Sequence, residues 1–353
     1  MSRPLITFLV ASYNQEKYIR EAVEAAFAQT YSPLEILISD DGSKDRTFDI
    51  ANEMAAVYRG PHKVRLNRNS KTLGIGGHVN RVMELSRGEL IVAAAGDDIS
   101  LPERTEVYFQ AWDQTGRKAT SVFSSHSTVA SDGKFLEVGG LRGKLEDPRA
   151  FWTLEGGLYE YLSLKTPVVN GCTHAWSPKL FDFFGPISSD LEDLVLSFRT
   201  LAIGQLLYVN QPMIKYRRHE QNVSFLAERD DTLSFEHREK RLRWVDEKHV
   251  TAYDNMIADI ETLFAKRCIS ASDRDRLCGE ARRIRSNYAV ERSMMDGSFG
   301  RRLITLASVV KEGNVRSAVR SLPRALPRPV YRSLYMLRDR WRHALSVRKE
   351  ASM

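Results

Sequence analysis

The 353-residue sequence predicts an α/β fold, with a mostly parallel sheet flanked by helices and a helical extension at its C-terminal end. Three observations carry that prediction. Four short strand-like runs alternate with three stretches of helical periodicity in the first hundred residues. The connections are short, so right-handed crossovers should align the strands in parallel. Two of the runs end in adjacent aspartates, Asp40-Asp41 and Asp97-Asp98, which puts acids where the ligands of such sheets sit.

Leu5–Ala11 reads as a strand buried on both faces. Residues 15–29 follow as a helix with Ile19, Ala22, Val23, Ala26 and Phe27 on one stripe. Leu34–Ser39 is the second strand and Asp45–Tyr58 the second helix. His62–Asn67 is a short third strand, Gly77–Arg87 a helix that stops at Gly88, and Glu89–Ala95 the fourth strand. Further on, Ala119–Ala130 reads as a strand, Ser131–Pro148 as a polar loop, Phe151–Leu164 as a helix and Pro167–Ser177 as extended. Leu191–Gly204 is an amphipathic helix opened by an acidic pair, and Gln205–His219 a strand with its exit loop. Charged helices are expected over Asp230–Lys266, Ala271–Met295 and Phe299–Glu312. The expected division is 1–225, a catalytic domain; 226–315, a helical extension; and 316–353, a basic tail.

Composition excludes some classes. No apolar run reaches the length of a membrane span, and Leu5–Ala11 is too short for a convincing signal peptide. Cys172, Cys268 and Cys278 have no zinc spacing, and a reducing, cytoplasmic setting is the simpler reading. The net charge of +7 belongs to the tail, where ten Lys/Arg stand against two acids from Arg316 onward. The rest is near neutral, which argues against a nucleic-acid partner.

Adjacent carboxylates repel, so a strand end bearing two of them usually has a cation or several donors waiting. Helix and turn capping is the competing reading for each pair. It explains Asp97-Asp98 less well than it would explain one aspartate, and Mg2+ or Mn2+ takes one or two carboxylates plus phosphate and water. Asp41 could accept a nucleobase N–H, with Tyr13 stacking on the same base. Glu192-Asp193 suits a first helical turn without any function, and a lone His219 is more often structural than a ligand. Gly74–His78 lacks dinucleotide spacing and is discounted as such a site.

Taken in order, ASYNQEKYIREAV, QTYSPLEILISDDGSKDRT, LGIGGHVNRVMELSRGELIVAAAGDDISLPER, LEDLVLSFR and YRRHEQNVS resemble the family 2 glycosyltransferases with the GT-A fold, over about residues 4–225. The resemblance implies a nucleotide-sugar donor, with a UDP-sugar expected. Ala11 and Tyr13 would line the base pocket, Asp41 would read the pyrimidine, and Asp97 would lie by the ribose. Asp98 would bind Mn2+ or Mg2+ bridging the diphosphate, with His219 as a further ligand. Asp193 would be the catalytic base. Arg217, Arg218, Glu192 and His174 would serve the diphosphate or the acceptor. Ala95 departs from the pattern, since many members carry another Asp there. No processive-synthase signature follows the acidic pair, so a single addition by inverting displacement is implied, onto a saccharide or lipid-linked hydroxyl.

Two other readings stand beside it. A sugar nucleotidyltransferase would carry a Gly-rich basic loop after the first strand, which Ala11–Tyr18 lacks. A non-catalytic nucleotide-sugar-binding module would not need Asp98, Asp193 and His219. In the tail, Val330, Leu334, Leu337, Trp341 and Leu345 form one helical stripe amid arginines. Either it packs on the preceding helices or it contacts the inner face of an anionic membrane; peripheral contact is the preferred expectation.

Overall fold

The computed structural model describes residues 2–139, 151–154, 157–163, 169–219, 222, 235–296, 298–311, 326, 329–330 and 333. The chain divides into two compact units, Met1–Val223 with Asn255–Glu280, and Ser224–Asp254 with Ala281–Met353.

The first unit opens with β1 (Ile6–Ser12), α1 (Ile19–Phe27), β2 (Leu34–Asp40), α2 (Thr47–Val57), β3 (Lys63–Arg68), α3 (Gly74–Leu85) and β4 (Leu90–Ala95). β5 (Ile99–Ser100), α4 (Arg104–Gln114), β6 (Ser121–Ala130), β7 (Phe135–Gly139) and β8 (Phe151–Leu154) follow. Then come α5 (Leu158–Leu162), a 3-10 turn at Gly171–Thr173, β9 (Ala175–Trp176), α6 (Lys179–Phe184), α7 (Glu192–Ile203) and β10 (Leu206–Arg218). Helices α8 (Phe235–Ala265) and α9 (Ala271–Asp296) contribute to both units; α10 (Phe299–Lys311) belongs to the second.

Among the described residues the strands form one sheet in the order β3-β2-β1-β4-β9-β6-β10-β5, with β7 on β6 and β8 on β10. β1 pairs in parallel with β2 and β4, β2 with β3, and β6 with β10. The short β9 runs antiparallel between β4 and β6, so the sheet is parallel through its first half and mixed beyond. Central position explains the unbroken apolar run of β1. Ile6, Phe8 and Val10 join α1 and α4 side chains in the main core, while Leu9 is buried on the other face. Full burial of such a side chain contributes roughly 1.5–3 kcal/mol.

Several elements differ from expectation. Phe151–Leu154 is a strand, not the start of a helix, because it pairs antiparallel with Leu206–Val209. The helix begins only at Leu158, with Gly157 as its N-cap in extended backbone. Part of the polar loop 131–148 is β7, paired with β6. Helix α3 starts at Gly74 rather than Gly77. β10 carries two irregularities: Val209, Pro212 and Lys215 pair with Ser124, Ser125 and Ser127, so six steps of β10 match three of β6. The tail arginines Arg316, Arg320, Arg324, Arg328 and Arg332, and the stripe from Leu334 on, lie outside the described residues.

The segment leading into α7 is held from three sides. Asn80 bonds the backbone of Ile187 at both its N–H and its carbonyl (2.9 and 2.8 Å), and the Ser188 N–H donates to Asn255 at 2.7 Å. Arg199 of α7, 1 % exposed, donates to both oxygens of Asp259 at 2.8 and 3.0 Å and to the Gly185 carbonyl. Loss of one partner from such a buried pair strands the other charge, at about 3–5 kcal/mol. The start of α7 is therefore fixed in place.

Candidate active site

Two loops meet beyond the ends of β1 and β2. The Asn14 N–H donates to Ser43 Oγ at 2.8 Å, and the Lys44 N–H to Asn14 Oδ1 at 2.9 Å. Asp40 closes its own turn by accepting the Gly42 and Ser43 N–H groups, which satisfies its capping role. Asp41 does something else. Only 4 % exposed, it accepts Asn69 Nδ2 at 2.8 Å and the Leu73 and Gly74 N–H groups at 2.9 and 3.1 Å. It thus stands at the N-terminus of α3, where the helix dipole favours an anion. Beneath it, burial lowers the pKa of His78, whose Nε2 lies 2.7 Å from Ser39 Oγ. Ala11 is paired between Ser39 and Ala95, and Tyr13 is exposed at the rim. A cavity of about 600 Å³ opens at Asn69, lined also by Lys44, Arg68, Lys71, Ser70 and Thr72.

The second acidic pair follows β4. Gly96 makes this turn possible: a Cβ there would lie 2.5 Å from Gln15 Oε1 and 2.9 Å from Ser12 Cβ. Asp98 is 2 % exposed; its Oδ1 accepts the Arg217 N–H at 2.8 Å, and its Oδ2 has no nitrogen or oxygen partner. Burial, then the neighbouring Asp97 charge, pushes its pKa well above the carboxylate range. The hydrogen bond from the Arg217 N–H, that from the Cys172 thiol and the Arg104 charge oppose that rise. Asp97 Oδ2 lies 2.9 Å from His219 Nε2, and the His219 ring stacks on Tyr18 at 4.7 Å. Strand alternation sends Arg217 and His219 toward these acids and Arg218 the other way, to Glu137.

The third acidic pair begins α7. Glu192 and Asp193 are half-buried. Burial pushes Glu192 up to about 8, with the Asp193 charge adding to it, and lifts Asp193 to about 6. The Leu194 N–H, at 2.8 Å, and the Gly171 N–H hold the ionised form of Asp193. A Cβ at Gly171 would fall 2.6 Å from Glu192 Oε1, so a larger residue there would require the Glu192 carboxylate to shift. The 3-10 turn therefore joins two acidic centres. Gly171 touches the α7 pair, and the next residue, Cys172, has its thiol beside Asp98.

Asp97, Asp98, Arg217 and His219 are thus brought together, with Asp193 and Glu192 linked to them through the 3-10 turn. Ala11, Tyr13 and Asp41 stand on the neighbouring strand ends. His174 is set apart: it is 1 % exposed, its Nε2 lies 2.9 Å from Ser121 Oγ, and burial drives its pKa down to about 3. Tyr18, Arg104 and Cys172 were missed in the sequence. Arg104 left a signal, since a cation in a first helical turn opposes the dipole. It is wholly buried and donates to Ser100 Oγ and the Cys172 carbonyl.

Among the described residues no three His, Cys, Asp or Glu side chains form a metal cage. A cage is not required, because Mg2+ and Mn2+ sites complete their shells with phosphate and water. An acidic pair with one buried carboxylate oxygen that has no nitrogen or oxygen partner is chemically suited to such an ion.

The mixed α/β sheet flanked by helices is a GT-A fold. Residues 7–144 match the sequence model described as "Glycosyl transferase family 2". Over this N-terminal region the chain is similar to that family. It is similar to an uncharacterized glycosyltransferase of Rickettsia bellii (strain RML369-C), 26 % identical over 226 residues, which covers 63 % of this chain and 31 % of the relative. A second relative, from Rickettsia felis (strain ATCC VR-1525 / URRWXCal2), is 25 % identical over 226 residues, with 63 % and 35 % covered. The chain thus spans about a third of the length of these two relatives. Staphylococcus aureus TarS 1-349, solved with UDP-GlcNAc, superposes with a TM-score of 0.50 at 14 % identity, over 87 % of this chain and 92 % of that one. That likeness is one of fold.

Proposed function

We propose that the chain is a metal-dependent inverting glycosyltransferase that moves one sugar from a UDP-sugar to a hydroxyl of a saccharide or lipid-linked acceptor. The observation that carries this reading is the pair of acidic centres joined by one turn, a buried Asp98 with one oxygen that has no nitrogen or oxygen partner and a Glu192-Asp193 pair. The nucleotide sugar held by TarS supports the choice of donor. In this reading Asp41 accepts a base N–H, Tyr13 covers the ring and Asp97 faces the ribose. Asp193 accepts the proton of the acceptor hydroxyl as that oxygen attacks the anomeric carbon. The bond from that carbon to the diphosphate oxygen breaks on the opposite face, and the electron pair leaves with the nucleotide. A divalent cation on Asp98, when bound, supplies the Lewis acid that offsets charge on the departing diphosphate. Tyr18 holds the His219 ring against Asp97, which keeps this side of the rim ordered.

A panel of nucleotide sugars tests the proposal. The matching UDP-sugar should raise the unfolding temperature only with Mn2+ present, and be slowly hydrolysed without acceptor. Protection with no hydrolysis would leave a binding module, and protection by a sugar phosphate plus a nucleoside triphosphate would favour a nucleotidyltransferase.

No helix among the described residues is long and apolar enough to cross a membrane. Membrane contact is proposed through the basic tail, on the strength of its sequence, each basic residue contributing up to ~1 kcal/mol near an anionic surface. Truncation after Ser321 should then release the protein from anionic liposomes and spare donor hydrolysis. Equal binding by both forms would assign the stripe to packing.

A further inference from the structure

Arg217 approaches the acidic rim from inside the protein. The residue is 2 % exposed. Nε donates to the Asp97 carbonyl at 3.0 Å, Nη1 to the Ser131 carbonyl at 3.0 Å and Nη2 to the Glu21 carboxylate at 2.9 Å. Its backbone N–H holds Asp98 Oδ1. The guanidinium lies over the Tyr18 ring at 5.0 Å, and the same ring stacks on His219. A guanidinium that binds a diphosphate presents its fork outward in a bidentate pair. Here three of the five donors, one from each nitrogen, are taken by acceptors on α1, the Asp97-Asp98 turn and the residue after β6.

We propose that Arg217 is a positioning residue: it fixes the Asp97-Asp98 turn and, through Tyr18, the His219 ring, so that the turn receives a divalent cation, and it does not touch the diphosphate. This inference rests on the metal reading above. Glu21 is the outer half of the device, with 48 % of its side chain exposed against 3 % for Arg217. It balances a charge that would otherwise be buried alone.

The test measures Mn2+ binding with no donor present, from the loss of the free-ion EPR signal. Arg217→Lys keeps the charge but cannot reach three fixed acceptors, so Mn2+ binding should weaken about tenfold, the scale of outer-shell changes. UDP affinity at saturating Mn2+ should change by less than about twofold, which a direct phosphate ligand would not allow. Glu21→Gln, at the exposed end, should weaken Mn2+ binding about threefold and carries the test if Arg217→Lys does not fold. Unchanged Mn2+ binding in both variants, with UDP affinity lowered, would overturn the inference and make Arg217 a diphosphate ligand. Asp98→Ala in the same titration separates the two layers. If it binds Mn2+ like the parent, the metal reading fails and the inference falls with it. If it loses Mn2+ while the other two variants keep it, the positioning role alone is lost.

Discussion

Asp98→Ala should lower sugar transfer by about 10³-fold or more, since Lewis-acid stabilisation is worth several kcal/mol and each 1.4 kcal/mol is tenfold. The fold should survive the change. Asp98 is buried with one oxygen lacking a nitrogen or oxygen partner and its pKa pushed well up, so in the absence of a cation it costs the folded state desolvation that alanine does not. An unfolding temperature at or above that of the parent, together with lost transfer, is the expected pair of results. Full activity of the parent protein in excess chelator would remove the metal from the mechanism.

Asp193→Asn should lower turnover by roughly 10²–10⁴-fold with donor binding little changed, because the amide keeps the size but cannot take a proton. The pH profile adds a second readout. With Asp193 lifted to about 6, the parent's turnover should fall as pH drops through that region, where the base becomes protonated. Glu192, lifted to about 8 beside it, is largely protonated at neutral pH and leaves the ionised role to Asp193. The two titrate as a pair, so the limbs belong to the pair. The variant's residual rate should lack the acid limb. If Glu192→Gln proves the damaging change and Asp193→Asn is mild, the base has been assigned to the wrong member.

The parallel half of the fold was legible because its signals are local. β1, β2 and β4 are apolar runs buried on both faces, and the helices between them carry one apolar stripe each. The mixed half was not. Phe151–Leu154 becomes a strand only through its pairing with β10, more than fifty residues away. Glycines and polar residues between Ser131 and Pro148 hid β7 in what reads as a loop. The acidic residues were legible by type and strand position, but their partners were not. Nothing local announces that Asp41 faces the start of α3, or that Cys172 and Gly171 would sit on two different acidic centres. Arg217 and Arg218 read alike in sequence, and only the pleat separates them.

That separation has its origin upstream, at the irregular stretch around Pro212. β10 spends six steps where β6 spends three, an odd surplus of three residues. Odd surpluses set the phase with which the strand emerges at the rim. A length change of one residue between Val209 and Lys215 would invert that phase. Arg218 would then turn toward the acids, while Arg217 and His219 would turn away. The spacing of this stretch thus selects which arginine the acidic turn meets and whether it meets the imidazole of His219. A family of such chains could exchange one rim chemistry for another by gaining or losing a single residue, with every rim side chain left as it is.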